Sequence, residues 1–61
     1  MLLKIGSTGE DVKKLQEKLG VDAGSAAGSF GPKTEAAVKT WQKANGLLDD
    51  GIVGDNTWNK L

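Results

Sequence analysis

The chain has no cysteine, no histidine, no tyrosine and a single proline among its 61 residues. Without Cys there is no disulfide, and without Cys or His a structural zinc site lacks its usual ligands. The same gaps remove the common general acid/base and the thiolate nucleophile. Ser7, Ser25 and Ser29 therefore have no histidine to activate them, and no glycine-rich loop ends in Lys-Ser or Lys-Thr to cradle a phosphate. A pair of carboxylates could in principle hydrolyse a glycosidic bond. Three short helices, however, offer no cleft deep enough to raise the pKa of one of them. Net charge is also absent, because eight Lys balance eight Asp and Glu. Even where Lys13, Lys14 and Lys18 cluster, Glu10, Asp11 and Glu17 alternate with them, the pattern of a solvated helix face and not of a phosphate-binding one. No apolar run approaches the roughly 20 residues that span a bilayer. The start, MLLKIGSTGE, has neither the basic region nor the apolar stretch of a secretory signal. These absences predict no enzyme, no metal or other cofactor, no nucleic-acid partner and no membrane partner.

What is abundant is glycine, nine residues in all. They punctuate an internal repeat. Gly28-Ser29-Phe30-Gly31-Pro32-Lys33-Thr34 aligns with Gly51-Ile52-Val53-Gly54-Asp55-Asn56-Thr57, and the helix sequence before each also matches: Val12 with Val38, Leu15 with Trp41, Gln16 with Gln42, Gly20 with Gly46. Each unit reads as a helix ended by glycine, a loop, and a turn that opens the next helix. The glycines permit positive φ, and the apolar residue between them drops into the core. The first loop carries three extra residues of the small-residue run AGSAAG and is expected to be the mobile one.

The punctuation predicts an all-α fold, a small three-helix bundle made of two similar helix–loop–helix halves joined by glycine-rich turns. Helix one runs over Glu10–Leu19, with Ser7 or Thr8 as its cap and Val12, Leu15 and Leu19 inward. Helix two runs over Pro32–Asn45, with Pro32 in the first turn and Ala37, Val38, Trp41 and Ala44 as its apolar stripe. Helix three follows Asp55 as N-cap and carries Trp58 and Leu61. Leu2–Ile5 is an extended lead-in that packs Leu3 or Ile5. Below roughly 70–80 residues a single core supplies only about 3–5 kcal/mol, so Phe30 and Trp41 are both expected inside. An EF-hand reading of the run DDGIVGD, Asp49–Asp55, fails, since aligning Gly51 with the loop glycine puts Gly46 and Leu48 at ligand positions.

The run Leu3–Gly20 fits L-K-x-G-S-x-G-x-D-V-x-x-L-Q-x-x-L-G. Gly28–Gln42 fits G-x-F-G-x-x-T-x-x-A-V-x-x-W-Q, and Asn45–Leu61 fits N-G-L-x-x-D-G-I-V-G-x-x-T-W-x-x-L. In this pattern, which covers almost the whole chain, the sequence resembles the peptidoglycan-binding domain of bacterial and phage cell-wall hydrolases. The resemblance implies a three-helix, non-catalytic module that attaches a hydrolase to bacterial peptidoglycan. Trp41 stands where the family more often has Phe, and the loop Val21–Ala27 departs from the family's Tyr and Pro-Asp-Gly run. With no signal peptide, the likeness is to the N-terminal domain of a phage endolysin. A tethered catalytic domain would then lie beyond Leu61, and the protein would wait in the host cytoplasm before meeting the wall or periplasm. The module is expected to act as a monomer. The alternative from another class is a protein–protein docking or regulatory three-helix domain.

A shallow site for sugars and stem peptides needs amides, hydroxyls, an aromatic face and a few Lys to meet carboxylates. The candidate ligand-binding residues are Gln42, Lys39, Asp50 and Trp58. Each also has a structural reading. Gln42, like Gln16, could bond to a turn backbone, Lys39 could be solvated, Asp50 could shape the turn, and the Trp58 ring could fill the core.

Overall fold

The computed structural model describes residues 2–61. Its elements are α1 (Glu10–Leu19), a 3-10 turn at Gly24–Ala26, α2 (Pro32–Ala44) and α3 (Asp55–Lys60). Among the described residues there is no strand, only two isolated antiparallel bridges, Leu3 with Val53 and Thr8 with Ser29. The three-helix, two-half architecture is as the sequence implies.

The lead-in does more than pack one side chain. Leu3 and Val53 exchange both backbone bonds, Leu3 N–H to Val53 O at 2.9 Å and Val53 N–H to Leu3 O at 2.7 Å. A few residues on, Gly6 N–H reaches Phe30 O at 3.0 Å, Phe30 N–H reaches Ser7 O at 2.9 Å and Gly9 N–H reaches Gly28 O at 2.9 Å. Residues 3–9 thus tie together the two glycine turns that open α2 and α3. Their backbone groups would otherwise lie unpaired over the core. Of the two lead-in candidates, Leu3 is buried and Ile5 is exposed.

The core is Leu3, Val12, Leu15, Phe30, Val38 and Val53, with Leu19, Trp58 and Leu61 packed against it. Phe30 is inside, as expected. Trp41 is a correction. It is only half-buried and is not part of that cluster. Ala44 is exposed, and the buried face of α2 is Thr34, Val38 and Gln42. The inward face of this helix is two-thirds polar, so an apolar stripe traced on hydropathy lands beside it. The polar groups can be inside because they are paired: no buried side-chain nitrogen or oxygen among the described residues lacks a partner.

The helix starts correct two further expectations. Gly9, Gly31 and Gly54 occupy the capping positions, and no side chain caps any of the three helices. Ser7 Oγ instead accepts from Lys4 N–H at 3.1 Å, within the lead-in. Asp55 is the first residue of α3, not its cap. Pro32 opens α2 as expected, and α2 ends at Ala44, one residue early. The first loop, expected to be mobile, holds the 3-10 turn, in which Ala26 N–H bonds Ala23 O at 2.8 Å.

Candidate functional site

The two halves are built around one device, repeated. At the end of α1, Gly20 N–H bonds Glu17 O at 3.2 Å and Val21 N–H bonds Gln16 O at 2.9 Å. At the end of α2, Gly46 N–H bonds Lys43 O at 3.3 Å and Leu47 N–H bonds Gln42 O at 2.9 Å. Both are Schellman closures around a left-handed glycine, Gly20 and Gly46 each having φ near +71°. Each glutamine therefore closes its own helix with its main-chain oxygen. Its side chain then clasps the turn that opens the next helix.

In the first half Gln16 Oε1 accepts from Gly28 N–H at 2.9 Å. Its Nε2 donates to Ser29 O and to Thr34 Oγ1, both at 3.0 Å. In the second half Gln42 Oε1 accepts from Gly51 N–H at 3.0 Å, and Nε2 donates to Ile52 O at 2.9 Å and to Thr57 Oγ1 at 3.2 Å. The clasp accounts for the Thr of Gly-x-Φ-Gly-x-x-Thr in both copies, while the first glycine is required by its positive φ, +85° at Gly28 and +75° at Gly51. The glycine N–H, the next carbonyl and the threonine hydroxyl are the three groups the amide holds. Gln42 is 1% exposed, so its amide serves this turn. The bonding of Gln16 and Gln42 to a turn backbone is the structural reading entertained from the sequence.

Beside the second clasp the surface opens into a groove of about 490 Å³, within the range of about 300–1,000 Å³ usual for small-molecule sites. Gln42 and Thr57 form its buried floor, and Leu47, Leu48 and Ile52 supply apolar walls. Asp50, Asp55 and Asn56 line the exposed edge. Asp50 is at once a turn residue and a groove residue. Its Oδ1 accepts from Ile52 N–H at 2.9 Å and from Gln42 Nε2 at 3.3 Å.

The other two candidates lie elsewhere. Lys39 is exposed and pairs with Glu35 at 3.8 Å, one helical turn away, while both side chains occupy the space that a Cβ on Gly51 would take. Trp58 packs against the core, with the ammonium of Lys18 at 5.9 Å from the centre of its ring. The structure thus brings Gln42 and Asp50 to one groove and places neither Lys39 nor Trp58 in it. Leu47, Leu48 and Asn56 were not singled out by sequence reasoning. For Leu48 and Asn56 the signal was available, in that they stand where the first copy of the repeat has Asp22 and Lys33; Leu47 matches Val21 and gave none. A second depression, about 440 Å³ and largely apolar, lies along Leu19, Ala37 and Trp41. Among the described residues no group of His, Cys, Asp and Glu is placed to hold a metal ion.

A three-helix unit with a shallow, partly polar groove and paired internal amides defines a small binding module. The comparisons with known proteins place it. The chain belongs to the peptidoglycan binding domain family, whose model matches residues 8–61; it is a binding module, not a catalytic domain. It is 45% identical to a zinc D-Ala-D-Ala carboxypeptidase of Streptomyces albus G, over 97% of this chain and 25% of that protein. Among solved structures it resembles a fused zinc-dependent amidase/peptidase/peptidoglycan-binding protein of Clostridium acetobutylicum, at 43% identity and a TM-score of 0.87, over 97% of this chain and 28% of that one. The N-terminal domain of SleB superposes with a TM-score of 0.88 at 33% identity, over 98% of this chain and 86% of that one. The chain thus spans only a quarter of the length of the carboxypeptidase it matches.

Proposed function

We propose that this chain binds bacterial peptidoglycan and holds an attached hydrolase against the wall. The family match over residues 8–61 carries the reading. Relatives in which the matching region is a minor share of a zinc D-Ala-D-Ala carboxypeptidase or an N-acetylmuramoyl-L-alanine amidase support the attachment. The module works as a monomer, without cofactor, nucleic acid or membrane. Its contact surface is the groove over the second clasp, where Asp50 faces the ligand and Gln42 shapes the floor from beneath. Modest affinity is enough for this task, because a short flexible linker raises the local concentration of the catalytic domain to the order of millimolar.

Within that reading the particular parent we favour is a phage endolysin, made in the host cytoplasm and delivered to the wall at lysis. The sequence pattern is one that phage and bacterial hydrolases share, and the relatives named above are bacterial. The test of wall binding is co-sedimentation of the 61-residue chain with protein-free sacculi, with chitin and cellulose as controls. Retention on sacculi alone is the expected result. Equal retention on all three, or on none while circular dichroism shows a folded chain, would overturn the wall-binding reading.

A further inference from the structure

The two halves differ at one point that bears on what the groove accepts. In the first half Lys33, two residues beyond Gly31, reaches across the turn and its Nζ donates to Asp22 O at 2.7 Å. Asp22 stands two residues beyond the helix-closing Gly20. The matching positions in the second half are Asn56, two beyond Gly54, and Leu48, two beyond Gly46. The register is fixed on both sides by bonds already described. The Schellman closures match Val21 with Leu47, and the glutamine clasps match Gly28 with Gly51 and Thr34 with Thr57. Leu48 and Asn56 line one and the same groove. The short amide of Asn56 replaces the lysine strap, and the space that the first half fills with its own four-carbon ammonium is open in the second.

From this internal template we infer that the groove binds a primary ammonium on an aliphatic stem, the group carried by an uncrosslinked diamino acid in a wall stem peptide. The inference rests on the wall-binding reading above. The stem lies along Leu47, Leu48 and Ile52, as the Lys33 stem lies across the first half. The ammonium then meets the Leu48 carbonyl, the counterpart of Asp22 O, and the Asp50 carboxylate. Asp50 uses only Oδ1 in its two hydrogen bonds, so Oδ2 can accept from a ligand. The charge agrees at the proposed contact: Asp50 brings a carboxylate to the groove, and no lysine lines it. Lys39, expected from the sequence to meet a ligand carboxylate, stands outside it beside Glu35. The positive end of α3 does not exclude an ammonium here, since Lys33 meets the same end of α2 and still makes its 2.7 Å bond.

The experiment uses sacculi whose glycan strands are fully N-acetylated, so that their free amines are peptide amines. Binding of the chain is measured before and after acetylation of those amines with acetic anhydride. The expected result is at least a tenfold loss of affinity on acetylation. Binding retained within twofold would overturn the ammonium inference and leave wall binding intact; no binding to untreated sacculi would instead overturn the wall-binding reading beneath it. Loss confined to sacculi with de-N-acetylated sugars would assign a sugar amine and refute the aliphatic stem. A second arm is Asn56→Lys, which restores the strap of the first half. It should keep the wild-type melting temperature and lower affinity for untreated sacculi about tenfold, and unchanged affinity in this variant would count against the inference.

Discussion

Replacing Gln42 by alanine should come close to unfolding the domain, even though the residue lies on a helix and carries no charge. The side chain is 1% exposed and holds Gly51 N–H, Ile52 O and Thr57 Oγ1. Truncation leaves these groups without a partner, two of the lost bonds being fully buried. Each unsatisfied buried group costs about 1–3 kcal/mol, so a loss of about 3–5 kcal/mol is expected before the cavity is counted. Total stability for a domain of this length is on the order of 3–9 kcal/mol. Urea denaturation followed by far-UV circular dichroism and tryptophan fluorescence reads the loss directly. Gln42→Met separates packing from hydrogen bonding. It refills most of the volume and should still lose at least about 2 kcal/mol, because its thioether donates nothing. Gln42→Glu adds a pH signature. Burial, together with the Asp50 carboxylate and the Ile52 carbonyl, raises the pKa of the introduced carboxyl in the folded state. A raised folded pKa gives stability that is present below the unfolded pKa and lost as pH rises through the folded one, so this variant should be more stable near pH 4 than near pH 7. A Gln42→Ala variant within about 1 kcal/mol of wild type would refute the clasp as a structural device. If that variant also failed to bind sacculi, the amide would instead belong to the ligand.

The glycines give a paired test. Gly51→Ala and Gly46→Ala both force a side chain to φ above +70°, which costs about 1–2 kcal/mol. Only at Gly51 would the new carbon also meet neighbours, Glu35 Cγ at 2.8 Å and Lys39 Cε at 3.1 Å. Gly51→Ala should therefore be the more destabilising in the same urea titration, and the reverse order would contradict that packing. Leu15→Ala, at a fully buried position in the centre of α1, should cost about 2–5 kcal/mol and appear unfolded or nearly so by near-UV circular dichroism. Leu48 is 76% exposed, so Leu48→Ala should change stability by less than about 0.5 kcal/mol yet weaken sedimentation with sacculi. Unaltered sedimentation would remove Leu48 from the contact surface.

The helices were legible because their ends are written in backbone chemistry. Gly20 and Gly46 force left-handed closures and Pro32 suits a first turn, and these positions hold whatever the rest of the chain does. The inward face of α2 was not legible. Hydropathy favours Ala37, Trp41 and Ala44, whereas Thr34, Val38 and Gln42 are inside because a partner waits for each polar group. That partner lies 15 or 18 residues away in sequence, beyond the reach of helical periodicity. The caps were misread for a related reason. Ser7, Thr8 and Asp55 are good local cappers, but residues 3–9 and the two glycine turns are taken up in pairing with one another. For the site, matched Gln16 and Gln42 were visible as a pair, and Asp50 was visible as a turn residue. The groove itself was not, since it depends on what the second half lacks.

That lack divides the labour between two copies of one motif. A chain with no cysteine and no histidine has to stabilise itself through buried amides and backbone pairing, and both clasps contribute to that. The first copy adds three more loop residues, a 3-10 turn and the Lys33 strap to the Asp22 carbonyl. The second copy keeps the clasp and omits the strap, and Leu48, Asp50 and Asn56 line the groove over the buried Gln42 and Thr57. A site made this way costs the fold little, because no clasp bond is given up to expose it. It also predicts where binding can vary among chains that share the clasp: at the positions of Leu48, Asp50 and Asn56, and not at Gln42, Gly51 or Thr57, whose exchange would undo the turn before any ligand arrived.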